Sequence, residues 1–207
     1  MSMFDHVWKT NGSTIYHMGD ICIKEYNPEL YLLGEIEKYI MDKDVFDKLK
    51  LVDNPVFMHL IDYELDETKN IKKYMYEYIP SANTTLAHIP IEYTIVSLRF
   101  LINFADYLTE EGIHMLDPNP GNVILTPDGL RVIDADLYRF DKGDKVSLKK
   151  FNRNMALQYV LNKYIEGDPL AKVSDHYMNE SFNIDPSIYK DPADEIYKRI
   201  KSRRTRI

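Results

Sequence analysis

A short hairpin with acidic residues at both ends is the feature that most limits how this chain can fold. The loop Asp117-Pro-Asn-Pro-Gly-Asn122 is followed by the apolar runs Val-Ile-Leu-Thr and Leu-Arg-Val-Ile, which a Pro-Asp-Gly turn separates. Two short strands joined by such a turn form an antiparallel hairpin. The hairpin returns Asp134 to the end at which Asn122 lies, so the sequence predicts that an amide and a carboxylate converge there.

These polar groups have the chemistry of a phosphate and metal site. An amide oxygen and a carboxylate are hard ligands suited to Mg²⁺. Asp117 lies across the loop, where it could accept a proton or orient a hydroxyl group. Lys24, at the end of an apolar strand, could meet a phosphate. Asp136, in Asp134-Ala-Asp136, could be a second metal ligand or merely a cap on the next segment.

The rest of the chain changes from strand patterns to helix patterns near a joint at 78–84. Apolar periodicity and turn residues predict the elements on either side of it. The predicted elements are a hairpin at 13–26 around Gly19-Asp20, a helix at 28–41, strands within 56–65 and 71–79, a helix at 90–111 that Gly112 ends, and a helix at 147–164.

Composition narrows the class of protein. The chain has 207 residues and 44% apolar residues, which fits one domain or one two-lobed unit. Its net charge of −7 makes nucleic-acid binding unlikely, except through the basic C-terminal tail. A single cysteine, Cys22, excludes an internal disulfide and a cysteine-based zinc site. We expect a cytoplasmic protein without a membrane span, and a buried Cys22.

The order and spacing of the polar residues resemble those of the protein-kinase-like superfamily. Its members have an Asp followed five residues later by an Asn in the catalytic loop, and a metal-binding Asp one hairpin further on. Asp117, Asn122 and Asp134 fit this pattern. The form Asp-Pro-Asn-Pro-Gly-Asn is similar to the catalytic loop of aminoglycoside phosphotransferases and other small bacterial or viral-type kinases.

The first third of the chain carries further parts of the resemblance. Ile21-Cys-Ile-Lys24 resembles the strand that bears the family's ATP lysine. Glu35 looks like the helical ion-pair partner of that lysine, with Glu37 as the second choice. The run that ends in Glu77-Tyr78-Ile-Pro resembles the hinge, where Glu77 and Tyr78 would offer backbone groups to adenine.

The resemblance implies an α+β, bilobal, protein-kinase-like fold. Residues 1–79 would form an N-lobe with a small antiparallel sheet, and residues 80–207 a reduced, mainly helical C-lobe. It also implies an ATP- and Mg²⁺-dependent phosphotransferase that acts on a hydroxyl group of a protein Ser/Thr or of a small molecule.

Each site residue then has an implied role. Asp117 would orient the acceptor hydroxyl and take its proton. Asn122 and Asp134 would hold Mg²⁺ on the phosphates of ATP. Lys24, steadied by Glu35, would hold the α and β phosphates.

The chain also departs from the family pattern. Residues 10–14 contain one glycine where the family has a glycine-rich loop, and Met115-Leu116 stands in place of His-Arg. The metal motif reads Asp-Ala-Asp, and no Ala-Pro-Glu follows it. The alternative function is therefore a pseudokinase, a regulatory module that binds a protein partner with or without a nucleotide.

Other readings of single motifs remain open at this point. The loop at 117–122 could be only a turn, or could mimic a calcium loop with Asp117, Asn119 and Asp128. Asp-Ala-Asp also has the form found in metal-dependent glycosyltransferases. Lys24 could be a solvated side chain. The basic segment 198–206 is either a solvated helix end or a tail that binds RNA, acidic partners or a phosphate-rich substrate.

Overall fold

The computed structural model describes residues 4–10, 12–27, 40–80, 84–85, 91–117, 119–127, 129–141 and 143–167. Most of the predicted helix at 28–41, including Glu35 and Glu37, lies outside the described residues. The basic segment at 198–206 lies outside them as well. The described end of the predicted helix, Ile40 and Met41, is not helical.

A five-stranded antiparallel sheet forms the first half of the described chain. The sheet has the order β1-β2-β3-β5-β4. Its strands are β1 (His6–Lys9), β2 (Ser13–Met18), β3 (Ile21–Tyr26), β4 (Leu60–Leu65) and β5 (Ile71–Glu77). The hairpin predicted around Gly19 is confirmed, because Met18 pairs with Ile21 across a turn in which Gly19 has φ +60°. Glycine takes this backbone conformation without a steric penalty.

Three helices are described in full or in large part. They are α1 (Lys43–Leu49), α2 (Ile91–Glu110) and α3 (Lys145–Gly167). The long helices α2 and α3 confirm two of the predicted segments. Helix α1 was not predicted; its N-cap is Asp42, whose carboxylate accepts hydrogen bonds from the backbone N–H groups of Asp44 and Val45.

The hairpin predicted after the loop 117–122, here called the acidic hairpin, is also confirmed. It consists of β8 (Val123–Thr126) and β9 (Gly129–Val132), and a short 3-10 turn at Pro120–Asn122 precedes it. The remaining strands are the two-residue pieces β6 (Thr84–Thr85), β7 (Ile113–His114) and β10 (Arg139–Phe140). The coarse prediction of a mixed α+β chain with an antiparallel sheet is therefore confirmed.

Strand β9 attaches the acidic hairpin to the segment that leads into the large sheet. The backbone N–H of Val132 donates to the carbonyl of Val56 at 2.6 Å, and Met58 N–H donates to the carbonyl of Val132 at 3.1 Å. Strand β4 lies within the predicted segment 56–65, and it begins only at Leu60 because the residues before it pair with β9. The end of the acidic hairpin is thereby fixed beside the large sheet.

One contiguous apolar core extends across these elements. In it, the rings of Phe57, beside β9, and Phe104, on α2, stack with centroids 5.5 Å apart. Among the described residues, no helix is long and apolar enough to cross a bilayer.

We expect Phe104→Ala to reduce the free energy of unfolding by about 3–5 kcal/mol, the usual cost of removing a buried aromatic ring. Phe104 is 0% exposed, whereas Phe100 on the same helix is 40% exposed. The matched variant Phe100→Ala should therefore change stability by only about 0.5 kcal/mol. Urea unfolding of both variants measures the difference, and equal losses would contradict this assignment of the core.

Candidate functional site

The lysine of strand β3 lies on the buried face of the sheet. Side chains alternate along this strand, so that Cys22, Lys24 and Tyr26 point inward, and all three are buried. The predicted burial of Cys22 is confirmed. The alternative in which Lys24 is a solvated side chain is wrong, because the side chain is only 8% exposed.

Two carboxylates neutralise this buried ammonium group. Lys24 Nζ lies 2.8 Å from Asp134 Oδ2 and 2.7 Å from Asp136 Oδ2. Burial alone would lower the pKa of Lys24, but the charges of Asp136 and Asp134 outweigh it and raise the pKa above its usual value. The lysine is therefore permanently charged at neutral pH.

Asp136 is held by two tyrosines in addition to the lysine. The Tyr74 hydroxyl donates to Asp136 Oδ1 at 2.9 Å. The Tyr26 hydroxyl is also hydrogen-bonded to Asp136, and it accepts a hydrogen bond from the backbone N–H of Met41 at 3.1 Å. Burial raises the pKa of Asp136 to about 6, against the opposing charge of Lys24. This carboxylate therefore has a complete set of donors and little contact with water.

Asp117 and Asn122 are joined directly across their loop. Asn122 Nδ2 donates to Asp117 Oδ2 at 3.0 Å. The turn between them is built by Asn119, whose side-chain Oδ1 accepts the backbone N–H of Gly121. The loop leaves Asp117 exposed overall, but partial desolvation of its carboxyl group and the nearby charge of Asp134 raise its pKa. The charge of Asp134 acts on Asp117 because the two acids lie near each other.

Asp117 and Asp134 also share an unusual backbone conformation. Of the described non-glycine residues, only Lys69, Asp117 and Asp134 have positive φ angles, and the two aspartates have φ +55° and +66°. Such conformations cost free energy and are often found at functional sites. The acidic hairpin also brings Asn122 close to Asp134. The backbone N–H of Ile133 donates to the carbonyl of Asn122 at 2.8 Å, which places Asn122 beside Asp134.

The side-chain oxygens of Asn122 and Asp134 are of the kind that binds Mg²⁺. The Nδ2 group of Asn122 is used by Asp117, which leaves its Oδ1 as the amide atom for a cation. Asp134 is 33% exposed, so its carboxylate is open to solvent. One amide and one carboxylate suit Mg²⁺, which usually takes few protein ligands and completes its shell with phosphates and water. In the described part of the chain, no group of three or more His, Cys, Asp or Glu is arranged to hold a metal ion.

The predicted hinge residues lie at the end of strand β5. The backbone N–H of Glu77 donates to the carbonyl of His59 at 3.0 Å, and that of Tyr78 donates to the carbonyl of Asp20 at 2.8 Å. The Glu77 carboxylate accepts the backbone N–H of His59 at 2.8 Å. The Tyr78 ring stacks on His17, with centroids 3.7 Å apart. Both N–H donors are therefore engaged within the protein, and an adenine here would have to contact other groups.

A buried asparagine, which the sequence analysis did not identify, holds the approach to Asp117. Asn152 on α3 is 0% exposed. Its Oδ1 accepts the N–H of Met115, and its Nδ2 donates to the carbonyl of Ile113 and to the hydroxyl of Thr109. No motif marks this residue in the sequence, since a polar residue within a helix is usually exposed.

The structure thus brings together Lys24, Asp117, Asn122 and Asp134, and adds Asp136 with its two tyrosines. Glu77 ends strand β5 of the sheet that contains Lys24, Tyr78 follows it directly, and Glu35 lies outside the described residues. A scan against models of protein families found no match, and a search of curated proteins found no significant match.

We expect Asn152→Leu to lower the free energy of unfolding by about 2–4 kcal/mol, because it leaves the buried N–H of Met115 and the buried carbonyl of Ile113 without partners. The matched variant is Asn154→Leu, at a partly exposed position on the same helix, which should have a much smaller effect. Thermal unfolding of both variants checks this. Equal destabilisation would show that the hydrogen bonds of Asn152 are not what matters.

Proposed function

We propose that this chain is an ATP- and Mg²⁺-dependent phosphotransferase with a protein-kinase-like bilobal fold. Residues 1–79 would form the N-lobe and residues 80–207 the C-lobe. The acceptor is a hydroxyl group of a protein Ser/Thr or of a small molecule. The antiparallel sheet, the two long helices and the hairpin between them support this architecture.

The contact of Lys24 with Asp134 carries the proposal. The two residues are 110 positions apart in the sequence, and their side chains meet at 2.8 Å. The Asp117–Asn122 pair lies in the same electrostatic site. The fold thus collects from separate segments a cation for phosphate, hard oxygens for a metal, and a carboxylate for a hydroxyl proton. Phosphoryl transfer needs these groups, because its catalysis consists mostly of positioning and charge neutralisation.

In the proposed reaction, the acceptor oxygen attacks the γ-phosphorus as the bond to the β–γ bridging oxygen breaks and ADP leaves. The hydroxyl proton passes to the carboxylate of Asp117, whose raised pKa makes it a better proton acceptor than an ordinary aspartate. Asn122 orients this carboxylate through its amide group. Lys24 binds phosphate oxygens as a fixed positive charge.

Asn122 and Asp134 would hold the magnesium ion. Its contribution when bound is to neutralise charge on the β and γ phosphates. Until a nucleotide is bound, the Asp134 carboxylate forms an ion pair with Lys24 instead.

One observation favours the second candidate, a pseudokinase that binds a protein partner. The backbone N–H groups of Glu77 and Tyr78 are already paired with the carbonyls of His59 and Asp20. A site whose predicted adenine donors are engaged is less prepared for a nucleotide. Phosphate transfer that disappears in an Asp117 variant would exclude this function.

We expect ATP with Mg²⁺ to stabilise the protein, and ATP without Mg²⁺ to do so much less. A ligand at about 100 times its Kd adds about 2.7 kcal/mol, which for a chain of this size raises Tm by about 5–10 °C. Asp134→Asn should abolish the magnesium-dependent shift and leave the fold intact. The matched control is Asp62→Asn, at an exposed position of strand β4, which should keep the full shift. A normal shift in Asp134→Asn would refute the metal assignment.

We expect Asp117→Asn to reduce the rate of phosphate transfer by about 10²–10⁴-fold, the usual contribution of a positioned proton acceptor. Asp117 accepts a proton only when it is ionised, so activity should fall on acidification. Because its pKa is raised, the acid limb of kcat/KM should lie above the value of about 3.9 for an ordinary aspartate. A rate that stays constant down to that pH would contradict the role of Asp117.

A further inference from the structure

We infer that Asp136 is the residue that holds the Lys24 ammonium in position for phosphate, and that Asp134 is its exchangeable second partner, which is released to the metal ion when a nucleotide binds. The inference rests on the proposed function for the identity of the ligand. The assignment of the two carboxylates rests on the structure alone. It gives to Asp136 a role that the family resemblance implies for Glu35.

The fixed character of Asp136 follows from its surroundings. Both of its carboxylate oxygens are used, Oδ2 by Lys24 at 2.7 Å and Oδ1 by Tyr74 at 2.9 Å. Tyr26 gives a further hydrogen bond and is itself tied to the backbone of Met41. The Asp136 side chain is only 13% exposed. Moving it would take one counter-charge from a buried ammonium and leave the buried Tyr74 hydroxyl without its acceptor, which is costly.

Asp134 has few such ties. Apart from Lys24, its carboxylate accepts the backbone N–H of Asp136 at 3.3 Å, which is a long hydrogen bond. Its side chain is 33% exposed, well above the value for Asp136. Water or a cation can reach this carboxylate without disturbing the buried groups.

The local charge also favours an exchange. Lys24 supplies one positive charge against the two carboxylates that contact it, so the trio has an excess of one negative charge. When Asp134 turns to a divalent cation, Lys24 still has Asp136 as a counter-ion. Its remaining hydrogen-bond donors can then bind phosphate oxygens, since an ammonium group has three donors. A lysine with Asp134 as its sole partner would compete with the metal for the same carboxylate.

The test measures how fast each lysine of the full, ligand-free chain is acetylated by N-acetoxysuccinimide, with mass spectrometry of the peptides as readout. The reagent needs an amine that is free of its ion pairs, so a lysine held by buried contacts reacts slowly. Asp136→Asn should therefore raise the rate at Lys24 by about tenfold, the effect expected for the loss of one charge-assisted contact, and Asp134→Asn and Glu35→Gln by less. Tyr74→Phe, which loosens Asp136 without removing its charge, should give a smaller increase and serves if Asp136→Asn does not fold.

The matched control is Glu64→Gln. Glu64 contacts Lys73 at 2.6 Å on the large sheet, so this variant should change the rate at Lys73 and leave that at Lys24 unaltered. If Glu35→Gln or Asp134→Asn exposes Lys24 as much as Asp136→Asn does, the inference is overturned.

A second readout separates positioning from mere structural support. Increasing concentrations of ATP with Mg²⁺ should protect Lys24 from acetylation, and in Asp136→Asn the concentration for half-protection should be about tenfold higher, if one charge-assisted contact is lost. An unchanged concentration would reject a positioning role. If ATP does not protect Lys24 in the unaltered protein, the proposed function fails, whereas the order of the ligand-free rates still decides which carboxylate holds the lysine.

Discussion

The buried ammonium group of Lys24 is the constraint on which the arrangement of this site depends. An unpaired charge in a protein interior costs several kcal/mol or more. The large sheet places this lysine on its inward face, and the counter-charges come from Asp134 and Asp136, more than a hundred positions later. The sheet therefore supplies the buried cation and the segment after the acidic hairpin supplies its counter-ions. Without this pairing, Lys24 would be an unpaired charge in the interior.

This mutual dependence gives specificity more than stability. A buried ion pair often contributes little net free energy, because desolvation offsets the attraction, but the loss of one partner costs about 3–5 kcal/mol. The apolar contacts beside the site, such as the stacked rings of Phe57 and Phe104, are available to many arrangements of sheet and helix. The charges of Lys24 and Asp136 discriminate among those arrangements, because a shifted register would separate the two charges and leave Asp136 buried without its counter-ion.

The parts of the fold that sequence periodicity specifies were predictable. The alternation of β3 around Lys24 and the hairpin between Asn122 and Asp134 follow from local patterns, and both are present in the structure. Helix α1 was missed because seven residues give too little periodic signal, and its strongest mark is the N-cap at Asp42. The late start of β4 could not be predicted either, since it depends on pairing with β9, a contact between distant segments.

The residues of the site also divide into those that local sequence could identify and those that it could not. Asp117, Asn122 and Asp134 were identifiable because their spacing is local to one loop and one hairpin. Asp136 was ambiguous, since its role depends on Tyr26 and Tyr74, which local sequence cannot associate with it.

The strained backbone at Asp117 and Asp134 connects these observations. A left-handed conformation at a non-glycine residue persists only when the surrounding structure imposes it. Here the surroundings are identifiable: the amide of Asn122 holds the side chain of Asp117, and Lys24 holds that of Asp134. Asn152 fixes the backbone that leads into Asp117. The protein thus gives up some stability to hold two carboxylates on backbone conformations that are unfavourable by themselves. That arrangement makes physical sense when the carboxylates act on a ligand, because groups that are already oriented need no reorganisation when the reaction occurs.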